Sequence, residues 1–289
     1  MSRKLWMFKR QMTANSIQPI IFLSHGAGPS FYMDAEQAPM FKGLDKNSKA
    51  ARVLKSFVSD NHIKPPRALV VLSAHWQEET CCINTNDKHS LLYDYGGFPP
   101  ETYTLEWPVT GDLDVARRVK ELLEAGGIEC KEEKKRGLDH GVFVPLKLVF
   151  PAADIPVIQV SLLNSLDMSE HLKIGEALSD LCKENVLVIG SGFATHGGLS
   201  PEGLMWAEPF KEWIHNVLSN SKYSASERKT KFLEYKKVKT FSKAHPTSEH
   251  FIPIAICCAA SGYQAAEILF SEFSVGCLLN DQYRFPAAK

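Results

Sequence analysis

The sequence lacks the cysteine patterns that build a disulfide framework or a thiolate zinc site. Its seven cysteines include two adjacent pairs, none forms a C-x-x-C arrangement, and the total is odd. Reduced and mostly buried thiols of an intracellular protein fit this usage. We therefore expect a cytoplasmic location.

Long apolar runs and an excess of charge of one sign are also missing. No apolar segment approaches the roughly 18 residues that a membrane span requires, and 33 basic residues balance 33 acidic ones. A chain without net charge has no global field to attract nucleic acid or an anionic membrane. We expect no nucleic-acid or membrane partner, and either a monomer or a small homo-oligomer.

The remaining composition is that of a chain with a sizeable core. Its 289 residues are 44% hydrophobic, and a chain of this length suits one large domain or two ordinary ones. Residues 1–19 carry four basic side chains and no acidic one, and we expect them to be a disordered leader. A weak organelle presequence is the alternative for this segment, and the folded domain then spans residues 20–289.

Two short apolar runs end in a closely similar local pattern, in which a histidine follows a serine directly or after one alanine. Residues 69–75 read LVVLSAH, and residues 20–25 read IIFLSH. Continuous apolar runs of this length indicate buried central strands. Because ligands gather at the carboxyl ends of strands in open α/β sheets, His75 and His25 are candidate metal ligands mounted side by side.

Three further histidines stand at predicted strand ends or helix starts. His196 follows a buried strand, His140 precedes an apolar helix, and His250, next to Glu249, opens another helix. Imidazole suits iron and zinc, and few carboxylates accompany the five histidines, so a Mg²⁺ or Ca²⁺ site is not expected. Three nitrogen ligands leave coordination positions open, and additional histidines suggest proton transfer beside the metal.

Strands and helices alternate along the chain. Apolar strands are predicted over 155–162, 186–192 and 266–285, and amphipathic helices over 113–125 and 168–184. This alternation predicts a single α/β domain with a central, mostly parallel or mixed sheet flanked by helices.

Residues 86–112 form a long connection rich in tyrosine, proline and glycine. Loops of this length in a compact domain are functional or disordered, and the density of aromatic residues argues against disorder. We expect a wall of a substrate pocket over the end of the sheet, with Tyr95, Phe98 and Tyr103 as substrate-binding residues. A surface flap that only covers the core is the alternative.

Seven blocks, in order along the chain, resemble the class III extradiol ring-cleavage dioxygenases, specifically their DOPA-4,5-dioxygenase-like branch. The blocks are FLSHGAGPSF, VVLSAHW, YDYGGFPPETY, GLDHGVFVPL, ADIPVIQVSL, SGFATHGGL and HPTSEHFIPI. The resemblance covers nearly the whole chain from about Pro19, and it implies an α/β catalytic domain over residues 20–289. The implied activity is non-haem, metal-dependent cleavage of the ring of a DOPA-like catechol with O2.

The resemblance also implies roles for the histidines, carried over by position. The implied metal ligands are His25, His75 and His250. Glu249 is the alternative to the last of these. His196 matches an acid/base histidine that approaches the metal closely and is therefore a further candidate ligand, and His140 matches a pocket histidine that orients substrate hydroxyls and protons. Fe(II) is expected for activity, whereas Zn(II) would fill the site without supporting oxygen chemistry.

The chain departs from the family pattern directly after His196. Gly197 and Gly198 stand where the family often has an asparagine first, which leaves DOPA itself open as the substrate. Two other functions also stay open. One is a zinc-dependent hydrolase that uses the same histidines to activate water, although H-E-x-x-H is missing. The other is a non-enzymatic binding relative of the same fold.

Overall fold

The computed structural model describes residues 16–37, 39–197 and 203–289. The strands are β1 (Ile20–Ser24), β2 (Ala68–Glu78), β3 (Cys81–Asn84), β4 (Cys130–Glu133), β5 (Val157–Leu163), β6 (Val186–Gly192), β7 (Glu267–Ser274) and β8 (Leu278–Phe285). Within the described ranges they form one sheet in the order β4-β3-β5-β2-β6-β1-β8-β7. The four strands β5, β2, β6 and β1 run parallel, and β8 and β3 pair antiparallel to them. The predicted mixed sheet is therefore confirmed.

Helices cover both faces of this sheet. They are α1 (Lys49–Asp60), α2 (Leu113–Ala125), α3 (His140–Val149), α4 (Met168–Ala177), α5 (Gly203–Ser219), α6 (Ala225–Leu233), α7 (Phe241–Ala244) and α8 (Ile252–Ala260). The Asp112 carboxylate caps α2 by accepting from the backbone N–H groups of Asp114 and Val115. The helix predicted over 168–184 is shorter in the structure, because α4 gives way to a 3₁₀ helix at Leu178–Glu184.

The central strands are buried on both faces, as their continuous apolar sequences predict. All five residues of β1 are buried, and so are the five apolar residues of β2 that precede Ser73. One apolar cluster lies between the sheet and α4, α5 and α8, and the other lies between the sheet and α1 and α3. This burial fixes the strand ends rigidly, and the candidate site is built there.

The strand that carries His75 differs from its prediction. β2 does not end at the histidine but continues to Glu78, and its pairing with β5 is interrupted between Leu72 and Gln77. Such a bulge bends a strand and redirects a side chain at its end. β1 and β2 are not neighbours in the sheet, because β6 lies between them. The imidazoles of His75 and His25 nevertheless lie side by side, with their Nε2 atoms 3.2 Å apart.

The described chain is anchored before the first strand. Gln18, in the segment that we assigned to the leader, is buried, and its Nε2 donates to Asn185 Oδ1 at 2.7 Å. Residues 1–15 of that segment lie outside the described residues. Within the described ranges no helix has the length and apolar character that crossing a membrane requires.

Candidate metal centre

Three imidazoles from distant parts of the chain converge beyond the central strands. His25 directly follows β1, His75 lies in the bulged part of β2, and His250 precedes α8. The Nε2 atom of His75 lies 3.2 Å from Nε2 of His25 and 3.3 Å from Nε2 of His250. Nitrogens that share one ion at about 2.0–2.1 Å lie roughly 3.0–3.4 Å apart, so this spacing fits three ligands of a single metal. They are the three histidines that the resemblance implied as ligands.

Hydrogen bonds at the opposite ring nitrogens fix which nitrogen of two imidazoles faces inward. The hydroxyl of Ser191 donates to the carbonyl oxygen of Gly141, so its oxygen accepts from His25 Nδ1 at 3.0 Å. His250 Nδ1 lies 2.9 Å from Glu249 Oε1, which can only accept. Both rings therefore carry the proton on Nδ1 and turn the lone pair of Nε2 toward His75.

The donor set of His25, His75 and His250 fits a metal ion. The three Nε2 lone pairs lie close together, and hydrogen bonds among the rings cannot satisfy all of them at these distances. A cation bound between the three nitrogens would remove the repulsion between the lone pairs. Burial, followed by the neighbouring histidines, lowers the pKa of His25 and His250 well below the ordinary value. Burial, followed by His140, lowers the pKa of His75 to about 4. The rings are therefore neutral at physiological pH, which is the form that binds metal.

Glu249 contacts His250 at Nδ1 and does not contact the inward Nε2 of that ring. Although burial by itself would raise the pKa of Glu249, hydrogen bonds from His250 and Thr247 outweigh it and lower the pKa to about 2. A charged carboxylate in this position orients the imidazole and raises its basicity as a ligand.

His196 lies against the same histidine on the open side of the site. Its ring stacks on His250 with centroids 3.6 Å apart and an interplanar angle of 5°, and its backbone N–H donates to Ala244 O. The side chain is exposed, in contrast to the buried His25. A ring nitrogen of His196 lies close enough to Glu249 and His250 for the three to share a metal ion. His25, His75 and His250 form a different set of this kind, to which His196 does not belong.

A carboxylate that sequence reasoning missed stands beside His140. Asp94 Oδ1 lies 2.9 Å from the backbone nitrogen and 2.8 Å from Nδ1 of His140, and Oδ2 lies 3.6 Å from Nδ1 of His75. Burial alone would raise the pKa of Asp94, but hydrogen bonds from the side chain and the backbone of His140 keep it below its usual value. The available signal was the position of Asp94 between Tyr93 and Tyr95 in the aromatic loop.

A second carboxylate that sequence reasoning missed, that of Asp139, helps to hold the strand segment around His75. Asp139 is fully buried and accepts from the Ser73 hydroxyl at 2.7 Å and from Gln159 Nε2 at 2.5 Å. The guanidinium of Arg136 lies 3.4 Å from the same carboxylate and donates to the carbonyl oxygen of His75 at 2.9 Å. The bulged segment of β2 is therefore held by charge and hydrogen bonds, not by the sheet ladder.

The aromatic loop reaches the site through Tyr95. The ring of Tyr95 lies 5.8 Å from that of His140, 5.5 Å from that of Phe98 and 5.2 Å from that of Tyr103. Phe98 also packs closely on Gly28, where a Cβ atom would lie 2.9 Å from the ring. Of the three predicted substrate contacts, Tyr95 is next to the histidines, and Phe98 and Tyr103 extend the wall from it.

Comparison with known proteins places these features in a family. The model of the catalytic LigB subunit of aromatic ring-opening dioxygenase matches residues 19–286. The 4,5-DOPA dioxygenase extradiol of Beta vulgaris is 35% identical over 279 residues, which cover 94% of this chain and 97% of that protein. The dioxygenase tasH of Hapsidospora irregularis is 33% identical over 86% of this chain and 80% of its own length. A solved structure of an uncharacterized Escherichia coli K12 protein covers 93% of this chain and 99% of its own, with a TM-score of 0.72 and 24% identity, and shows the same fold.

Proposed function

The chain belongs to the LigB family of aromatic ring-opening dioxygenases and is a metal-dependent extradiol enzyme that cleaves a catechol ring with O2; we propose that His25, His75 and His250 hold its metal. The observation that carries the proposal is the convergence of three inward Nε2 atoms, with His75 Nε2 lying 3.2 and 3.3 Å from the other two. Glu249 is proposed to position His250 through Nδ1, not to replace it as a ligand.

Fe(II) is the metal that we propose for activity. It supplies the redox-active centre through which dioxygen and a catechol can exchange electrons, whereas d¹⁰ zinc has no such capacity. A donor set of neutral imidazoles suits both ions, so Zn(II) is proposed to occupy the same three nitrogens in an inactive form.

We assign the proton chemistry to the two histidines outside the ligand set. His196 is exposed and stacked on His250, so it can take a proton from a catechol hydroxyl and exchange it with solvent. His140 is buried, and its Nδ1 is held by Asp94, which leaves its Nε2 to contact a substrate oxygen.

Replacement of His196 by alanine is expected to keep the metal and to lower kcat by about 10²–10⁴-fold, the usual contribution of a general acid or base. Metal content after dialysis and initial rates of product formation measure the two effects separately. His62→Asn, at an exposed histidine outside the site, serves as the control. Loss of metal from His196→Ala would make His196 a ligand and contradict the assigned role.

The proposed function is tested by loading the protein with Fe(II) without oxygen and then measuring oxygen uptake over a panel of catechols. We expect stoichiometric uptake with a ring-opened product. Hydrolysis of an ester or amide by the zinc form, with no oxygen uptake by the iron form, would support the hydrolase alternative. Binding of a partner with neither activity would support the non-enzymatic one.

We expect the enzyme to discriminate weakly among substituents on the catechol ring, because the loop offers aromatic side chains and the arginine near the site already has hydrogen-bond partners. Tyr95 and Phe98 offer stacking and apolar contact, and Arg136, the arginine next to His75, is bonded to Asp139 and a backbone carbonyl. We expect kcat/KM for DOPA and for an uncharged 4-alkyl catechol to differ by no more than about tenfold, or about 1.4 kcal/mol. A preference for DOPA of several hundredfold, measured side by side, would require a carboxylate clamp and refute this expectation.

A reducing compartment such as the cytoplasm is the location that we propose. Within the described residues all seven cysteines lie outside any disulfide, and six of them are buried. A monomer or a small homo-oligomer remains our prediction for the assembly.

A further inference from the structure

Asp94, in the aromatic loop, contacts both a candidate ligand, His75, and a candidate acid/base residue, His140. On either side of it, the Tyr93 hydroxyl donates to Leu105 O and the Tyr95 hydroxyl donates to Thr102 O, both at 2.7 Å. These bonds tie the loop to itself and fix the backbone from which the carboxylate projects.

The contacts of Asp94 determine the protonation pattern of His140. A carboxylate can only accept, so the 2.8 Å contact between Oδ1 and Nδ1 requires the proton of the neutral ring to be on Nδ1. Nε2 of His140 then carries the lone pair, in a ring whose centroid is 3.9 Å from that of His75 and 5.5 Å from that of His25. Without Asp94, nothing in these contacts would favour this tautomer over the other.

We propose that Asp94 is a positioning residue for ring cleavage, which holds His140 in the tautomer and orientation that present Nε2 to the substrate. The inference rests on the proposed function of the site. It adds that the aromatic loop takes part in the reaction through Asp94 as well as forming a wall, because any movement of Tyr93 or Tyr95 would move the carboxylate between them.

A purely structural role is the rival explanation, and it has its own observation. Asp94 Oδ1 also accepts from the backbone N–H of His140, the first residue of α3, while the N-cap residue Asp139 makes no side-chain cap bond of its own. Removing the carboxylate would therefore weaken the start of α3 whether or not the tautomer matters. The test must separate these two effects.

The first readout is the tautomer itself, which does not depend on activity. In zinc-loaded protein with ¹⁵N-labelled histidine, the His140 ring should show a protonated Nδ1 and an unprotonated Nε2. Asp94→Asn keeps an acceptor oxygen and should keep this pattern, whereas Asp94→Ala should populate the other tautomer. An unchanged protonation pattern of His140 in Asp94→Ala would overturn the proposal. If Asp94→Ala does not fold, the less disruptive Asp94→Ser is measured in its place and interpreted in the same way.

The second readout is a double-mutant cycle in the iron enzyme. Loss of an outer partner of an active-site histidine typically costs about 10–100-fold, so we expect Asp94→Ala to lower kcat by that factor with KM nearly unchanged. In a His140→Ala background the same change should cost little further, because the residue through which Asp94 acts is gone. An equal loss in both backgrounds would establish the structural role and overturn the proposal.

Two comparisons make the result specific. Glu106→Gln removes an exposed acid from the same loop and should leave kcat unchanged, and Asp94→Asn should retain most of the wild-type kcat. An inactive wild-type iron enzyme would count against the proposed function alone, since the tautomer reading on the zinc form would still decide the role of Asp94.

Discussion

Replacement of His75 by alanine should release the metal and abolish ring cleavage. Nε2 of His75 lies 3.2 Å from Nε2 of His25 and 3.3 Å from Nε2 of His250, so its loss would leave two of the three proposed donors. Two neutral imidazoles are too few to fill a catalytic site that uses three protein ligands. The loss of activity should therefore exceed the about 10²–10⁴-fold expected for an acid–base residue.

This variant is checked by metal content per protein chain and by oxygen uptake. His62→Asn is the matched control, because it also removes an imidazole and asparagine tolerates the positive φ of 51° at that position. The control should retain both metal and activity. A His75→Ala protein that still holds one equivalent of metal would show that the ligand set has been assigned wrongly.

Exchange of Fe(II) for Zn(II) should eliminate oxygen uptake while leaving the protein as stable as before. Both ions suit imidazole nitrogen, so both should raise the melting temperature of the stripped protein by binding only its folded state. The zinc form should nevertheless show no oxygen uptake with any catechol that the iron form cleaves, because zinc cannot change its oxidation state.

The exchange requires removal of the metal with a chelator, reloading without oxygen, and parallel measurements of thermal stability and oxygen uptake. A rise in melting temperature would demonstrate that zinc occupies the site. The lack of oxygen uptake by the zinc form could then not be ascribed to a site without metal. Oxygen uptake by the zinc form would contradict the proposed chemistry, as would an iron form that is fully loaded and inert.

The histidines of the site could be predicted because their signal is local. An apolar run that ends in a serine and a histidine indicates a buried strand with an imidazole near its carboxyl end, and His25 follows this rule directly. His75 follows it only in part, since its strand continues and a bulge turns the side chain toward the site. The fold class was equally accessible, because buried parallel strands have continuous apolar sequences.

The partners of these histidines could not be predicted, because their contacts depend on strand order. Ser191 reaches His25 only because β6 lies between β1 and β2, and the two residues are 166 positions apart in the sequence. Asp94 reaches His140 from a part of the aromatic loop that lies outside any helix or strand, 46 positions away. Ser191 carries no local pattern that distinguishes it from any other buried serine. The position of Asp94 between Tyr93 and Tyr95 marks it as part of the aromatic loop but does not identify His140 as its partner.

The position of β1 between β6 and β8 has a consequence for the order of events during synthesis. β1 is among the first segments of this sequence to leave the ribosome, yet Ser191 in β6 is 166 positions behind His25, and Gln282 in β8 is 258 positions behind Ser24. At about 5–20 residues per second, an apolar strand therefore waits on the order of ten seconds or more for its first neighbour in the sheet. During that interval Ile20–Ser24 is an unpaired strand that a chaperone can shield. The three proposed ligands are not all present until His250 has been synthesised.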